Sequence, residues 1–229
     1  MTRILRRPGL ATAAVLAACV LSGCGAHPGA AAIVGSDTIK ESDLDEVALA
    51  LCSAEAANSQ AGASQDLAGR AARQGALSVL INAALSRQYG EANGVEPDQA
   101  QVAAALAANQ GVIDKLPASR RTVFNDVVRD AVEGNLVILA VGRSELQKRG
   151  AKNIGEEQAF AVGTSVRDAW VKKRLKVSVD PRFGRFSGGA LAYRSGSLSA
   201  PVSSGAAAGA KAAPDASWTA ALPAAQKCT

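Results

Sequence analysis

The sequence predicts a mainly α protein, a bundle of about five helices with a short strand near each end of the helical region. Three observations predict it. Aromatic residues make up 3% of the chain while alanine is abundant, which favours helices packed through small side chains over a β-sandwich. Apolar residues recur every three or four positions through several long segments. Asn93-Gly94 and Gly150 stand where two of those segments stop, as helix ends prefer.

The chain begins with Arg3, Arg6 and Arg7, an apolar run over residues 9–21, and the small residues Ser22 and Gly23 ahead of Cys24. That is the layout of a secretory signal over residues 1–23, too short to span a bilayer as a stable helix. Leu21-Ser22-Gly23-Cys24 resembles the bacterial lipobox. The resemblance implies a diacylglycerol thioether on Cys24 and cleavage just before it. The mature protein is then expected to be extracytoplasmic and lipid-anchored to the cell membrane. Two or more acyl chains make such an attachment lasting, where one holds only marginally.

Residues 24–30 read as a tether. Ala31 to Gly35 reads as a short strand, Ser36-Asp37 as a turn, and Thr38-Ile39 as a segment that pairs back. Ser42 is the expected cap of the first helix, with Asp43, Asp45 and Glu46 in its first turn, where the helix dipole favours anions. Leu44, Val47, Ala48, Leu51 and Cys52 share one face. A loop is expected over 58–64, then a helix over 65–93 with Leu77, Ile81, Ala84, Leu85 and Tyr89 inward. Pro97 is expected to open the next helix, which carries Val102 and Leu106 and stops near 109–111. Ser119 is expected to cap the longest helix, 120–149, with Phe124, Val128, Val132, Leu136 and Leu139 on its inner face. Residues 136–141 are apolar all round, so that helix is expected to be central. A fifth helix is expected over 156–173, with Phe160, Val166, Ala169 and Trp170 as its apolar residues and Lys172, Lys173 and Arg174 in its last turn. Lys176 to Asp180 alternates like a strand. From Ser187 to Thr229, 29 of 43 residues are Ala, Gly, Ser or Pro, so this tail is expected to be largely flexible.

Removing the leader lowers the formal charge from +5 to +2, too little to argue for nucleic acid as a partner. Cys19 leaves with the leader and Cys24 is lipidated, so Cys52 and Cys228 remain. In an oxidising compartment they are disulfide candidates, and the very long loop they close corresponds to roughly 4–5 kcal/mol in the chain-entropy model. The alternative is a buried free Cys52 and a loose Cys228.

Three local sequences carry a family resemblance. Ala32-Ile-Val-Gly-Ser-Asp-Thr-Ile39 is similar to a "V-N-G-x-x-I" strand and turn. Glu41-Ser-Asp-Leu-Asp45 is an acidic helix start. Val177-Ser-Val-Asp-Pro-Arg-Phe-Gly-Arg-Phe186 looks like a "V-x-V-N-P-R-F/Y-G-x-F" strand ending. With their order along the chain, they make residues 31–186 resemble the SurA-like N-terminal domain of extracytoplasmic chaperones and foldases, in the actinobacterial lipoprotein form. The resemblance implies that the first and last strands pair beside a helical body, and that the body offers apolar grooves to unfolded or newly secreted polypeptides without ATP. The parvulin prolyl-isomerase module of such foldases is not expected within these residues, and the sole histidine, His27, lies in the tether.

No catalytic constellation is legible. One tether histidine and two remaining cysteines make no metal site and no nucleophile–histidine pair. Gly188-Gly189 lacks the strand–turn–helix setting of a phosphate loop. A charged helix start accounts for Asp43, Asp45 and Glu46 better than a calcium site does. A solvated helix end accounts for Lys172 to Arg174 better than a lipid contact. Packing is the expected role of Phe183, Phe186 and Trp170. The sequence therefore predicts a non-enzymatic protein without cofactor or metal. It is expected to be a chaperone-like lipoprotein; the alternative is a non-chaperone envelope lipoprotein that scaffolds one membrane or cell-wall complex.

Overall fold

The computed structural model describes residues 27–58, 68–187, 190–192, 200–211 and 214–228. Cys24, the leader, residues 59–67 and Gly188-Gly189 lie outside the described residues. Small and branched side chains fill Ala30–Val34 (β1), so the strand can be enclosed on both faces, and four of its five residues are buried. β1 is the middle strand of three, with Asp37–Lys40 (β2) on one side and Val177–Val179 (β3) on the other, both antiparallel. Gly35 turns β1 into β2 at a positive φ of 57°, which glycine adopts without strain. Ala32 faces Val179 and Val34 faces Val177. Two further bonds extend that pairing: the Gly35 N–H donates to Lys176 O at 3.0 Å, and the Asp180 N–H to Ala31 O at 2.9 Å. The two ends of the helical region are thus joined, as expected for this fold class.

Five helices lie between them: Glu41–Asn58 (α1), Gly69–Asn93 (α2), Gln99–Ile113 (α3), Ala118–Lys148 (α4) and Glu156–Arg174 (α5). α4 packs against each of the other four, which makes it the central element. Its 31 residues span about 46 Å. β1, α1 and α2 enclose the main apolar cluster around Leu44, Leu77, Ile81 and Leu85, and Val177, Val179, Phe183 and Phe186 pack on its edge. Phe183 and Phe186 therefore have the packing role expected of them.

Several expected caps and faces are corrected. Ser42 is not a cap: α1 starts at Glu41 straight out of β2, and the Glu41 N–H is accepted by Gly29 O at 2.9 Å. Ser119 is not a cap either, because α4 begins one residue earlier, after Pro117. Pro97 precedes α3, whose cap is Asp98, accepting from Ala100 N at 2.9 Å and Gln101 N at 3.3 Å. α3 runs past Gly111 because Ile113 and Leu116 bury against Ala50 and Phe124. On α4 the buried stripe is Phe124, Val127, Val137, Ile138 and Val141, so Val128, Val132, Leu136 and Leu139 fall to half-buried flanks. Phe160, one of the apolar residues expected of α5, is 41% exposed.

That last difference has a steric cause. The buried stripe of α5 is Ala159, Gly163, Arg167 and Val171, a row at four-residue spacing. A methyl group on Gly163 would overlap the carbonyl oxygen of Ile138, and one on Gly142 would overlap that of Ala159. The two helices meet backbone to backbone, and small residues rather than large apolar ones define the contact. Trp170 is half-buried and packs edge-to-face on Tyr89, with ring centroids 5.4 Å apart.

The tail expected to be largely flexible carries secondary structure among its described residues. Arg185–Ser187 (β4) pairs with Ala190–Ala192 (β5), and the tail carries helices Ser204–Gly209 (α6) and Ala216–Ala220 (α7). Trp218 lies flat enough on Gly209 that a methyl there would overlap its ring, and its Nε1 donates to Gly205 O at 2.8 Å. Arg70 Nη1 donates to Gly209 O at 2.6 Å, which ties this unit to the start of α2. One large aromatic side chain supplies the anchor that composition alone does not show.

Gly163→Ala is expected to lower stability by about 1–3 kcal/mol in urea unfolding followed by circular dichroism, the usual range for overpacking. Gly111→Ala, inside α3 with open space around it, is expected to be neutral or stabilising by about 0.5–1 kcal/mol. Equal effects of the two changes would contradict the close contact.

Candidate functional site

A groove of about 900 Å³ is walled by the β1–β2 turn, α2, the α2–α3 loop and α4. Local sequence explains each wall. Asn93-Gly94 ends α2, with Gly94 at a φ of 65°, and the Val95 N–H donates to Gly90 O at 2.9 Å, so the loop folds back over the helix end. Gln88 Nε2 donates to Val34 O at 2.7 Å and to Asp37 Oδ2 at 2.8 Å, which pins the β1–β2 turn onto α2. Arg87 adds ion pairs to Asp37 and, at 2.8 Å, to Glu91.

The floor is apolar: Leu80, Ala83, Ala84, Val95 and Val137 line it. The rim is acidic: among the residues lining the groove, Asp37, Glu91, Glu96, Asp130 and Glu133 stand against one basic residue, Arg87. Asp130 holds its proton more strongly than a free carboxyl, first because of desolvation between the helices and then because of Glu133 and Asp126; Arg87 and Arg129 oppose this. Such a rim favours a partner that brings positive charge. β2 is an edge strand of its sheet, and Ser36 to Ile39 form one lip of the groove. An edge strand beside an apolar floor can accept an extended chain by strand addition, with side chains seated on the floor.

Cys52 is buried on α1, and Cys228 lies against it near the end of the tail, with Cα atoms 5.3 Å apart, within disulfide reach. A second, smaller cleft of about 630 Å³ adjoins the pair, between α1, α2 and α7, and includes the exposed Leu49. Cys24 lies outside the described residues. Asp43, Asp45 and Glu46 sit on the first turns of α1, where Asp45 pairs with Arg73 at 2.7 Å. Arg182 pairs with Asp180 at 2.8 Å and with Glu41, which holds the strand ending against α1 and keeps the Asp180 carboxyl below its ordinary range. Lys172, Lys173 and Arg174 are exposed at the end of α5.

The sequence reading missed the groove's charged rim. Its signal was present: Asp126, Asp130 and Glu133 repeat at helical spacing along α4, and Arg87 and Glu91 are four apart on α2. Among the described residues no cluster of His, Cys, Asp and Glu could hold a metal, and no helix is long and apolar enough to cross a membrane. No family model, no curated protein and no solved structure matches this chain.

The 5.3 Å approach of Cys52 and Cys228 makes a specific mass prediction. Alkylation of the denatured chain without reductant is expected to leave both residues unmodified, and reduction first is expected to add one alkyl group to each. Labelling of either residue before reduction contradicts the pairing.

Proposed function

We propose that this chain is an extracytoplasmic lipoprotein, anchored to the cell membrane through lipid on Cys24, that holds unfolded or newly secreted polypeptides in the α2–α4 groove. The groove carries the reading: an apolar floor for side chains, an edge strand for backbone, and acidic residues at the rim for positive charge. The resemblance to SurA-like N-terminal domains supports the same assignment, as does the pairing of the first and last strands around the helices. Holding of this kind is stoichiometric and needs neither ATP nor a cofactor. No bond is made or broken, and the protein is proposed not to be an enzyme.

A second reading, a scaffold for one membrane or cell-wall complex, is favoured by one observation. Among the described residues only Leu49, Phe160 and Val202 are large apolar side chains with strong exposure, and they lie on three separate segments. A general holding surface usually presents a contiguous apolar patch. The groove supplies such a patch only if clients enter as extended segments.

Full-length protein in detergent is expected to slow aggregation of a reduced, basic secreted client at equimolar ratio, and less so in high salt, which screens an exposed acidic rim. Val95→Asn is expected to remove more than half of that protection while changing stability by about 1 kcal/mol or less, because Val95 is a half-buried loop residue. Absence of protection across several clients contradicts the proposal.

A further inference from the structure

A separate cavity of about 400 Å³ opens on the other side of the α2–α4 crossing, against α5 and under β5. α5 contributes Phe160, Thr164 and Arg167, at i, i+4 and i+7, and α2 contributes Ser86. None of the residues lining this cavity is acidic. Arg167 is only 4% exposed, so its charge is held inside the fold. Its Nε and Nη2 donate to Asp168 Oδ1 at 2.9 and 2.8 Å, and its Nη1 donates to Ser86 Oγ at 3.1 Å.

The donor count leaves a surplus. A guanidinium carries five N–H groups, and those three bonds leave one on Nη1 and one on Nη2. Ser86 Oγ accepts from Arg167, which leaves its own proton to give. Thr164 Oγ1 is buried with no hydrogen-bond partner. Buried polar groups are normally paired, and a cavity wall holding an orphaned hydroxyl, a hydroxyl with a proton to spare and the unspent end of a guanidinium calls for an acceptor.

We propose that this cavity binds a carboxylate attached to a small apolar body, its oxygens taking the free Arg167 N–H groups and the hydroxyls of Ser86 and Thr164. A carboxylate fits better than a phosphate. Asp168 already neutralises Arg167, so a dianion would enter a site with no net positive charge, whereas a planar monoanion needs one guanidinium end and two hydroxyls. Val79, Ala83, Ala131 and Ala190 supply the apolar part of the wall, Ser78, Asn82 and Asn135 add uncharged polar groups to it, and the 41%-exposed Phe160 supplies the lip. The carboxylate comes either from a free organic acid or from the C-terminus of a polypeptide. The proposal does not depend on the groove's function.

The test uses full-length protein in non-ionic detergent with two matched pairs of probes: phenylacetate and phenylacetamide, and N-acetyl-alanyl-phenylalanine as acid and as amide. Heteronuclear NMR reads the Arg167 Nε and the Ser86 and Thr164 amides, and calorimetry reads affinity. At least one acid is expected to shift those signals saturably and to bind about tenfold or more tighter than its amide. Thr164→Val, which keeps the side-chain shape, is expected to weaken that acid about tenfold with an unchanged melting curve. Tighter binding of phenylacetate identifies a free-acid pocket; tighter binding of the peptide acid identifies recognition of a chain end. Failure of both acids to bind, equal binding of acid and amide, or wild-type affinity in Thr164→Val overturns the proposal.

Discussion

The structure depends on how closely other helices approach α4. At Gly142 and Gly163 the backbones of α4 and α5 touch, and at Gly134 a methyl group would press on Ser86 Cβ at 3.2 Å. Large side chains at these positions would hold the helices apart. With glycine there, van der Waals contact forms along the backbones themselves, and the remaining side chains are forced to either side of each crossing. The floor of the acidic groove and the wall of the Arg167 cavity are the two sides of one such crossing, and both include Ala83 and Gly134. A poor supply of aromatic side chains is consistent with this plan, because backbone contact leaves little space to fill.

Electrostatics then divides the two sides. The groove side collects carboxylates from β2, α2, the α2–α3 loop and α4, and Arg87 answers only two of them through direct pairs. The opposite side buries a guanidinium with a single partner carboxylate. Burying such a pair seldom adds stability over an apolar replacement, so a role in recognition gives it a reason to be there. The same chain thus presents an anionic face and a donor-rich one within the width of a helix pair.

Much of the fold was legible in the sequence because helix ends and inner faces leave local marks. Gly94 and Gly150 take positive φ where the stops were read, and Leu77, Ile81, Leu85 and Tyr89 are buried as their spacing required. What was not legible came from distant parts of the chain. Ser42 lost its capping role because the carbonyl of Gly29 already satisfies the helix start. The inner face of α5 went unread because three of its four buried residues, Ala159, Gly163 and Arg167, carry no apolar bulk and only Val171 does. The groove could not be read at all, since its walls come from four elements, although its acidic spacing along α4 was in plain view. Among the described tail residues, α6 and α7 meet where Trp218 packs on Gly209, a contact composition averages away.

Under the proposed function, lipid on Cys24 and the few residues before β1 would keep the helical body near the membrane surface, where exported chains would emerge unfolded. The most direct measurement is in-cell photo-crosslinking from a probe at Ala84 on the groove floor, with Glu157 on the exposed start of α5 as the control position. Many different secreted polypeptides captured at residue 84, and few at residue 157, is the result expected of a groove that holds unfolded chains. One dominant adduct, or equal capture at both positions, contradicts it.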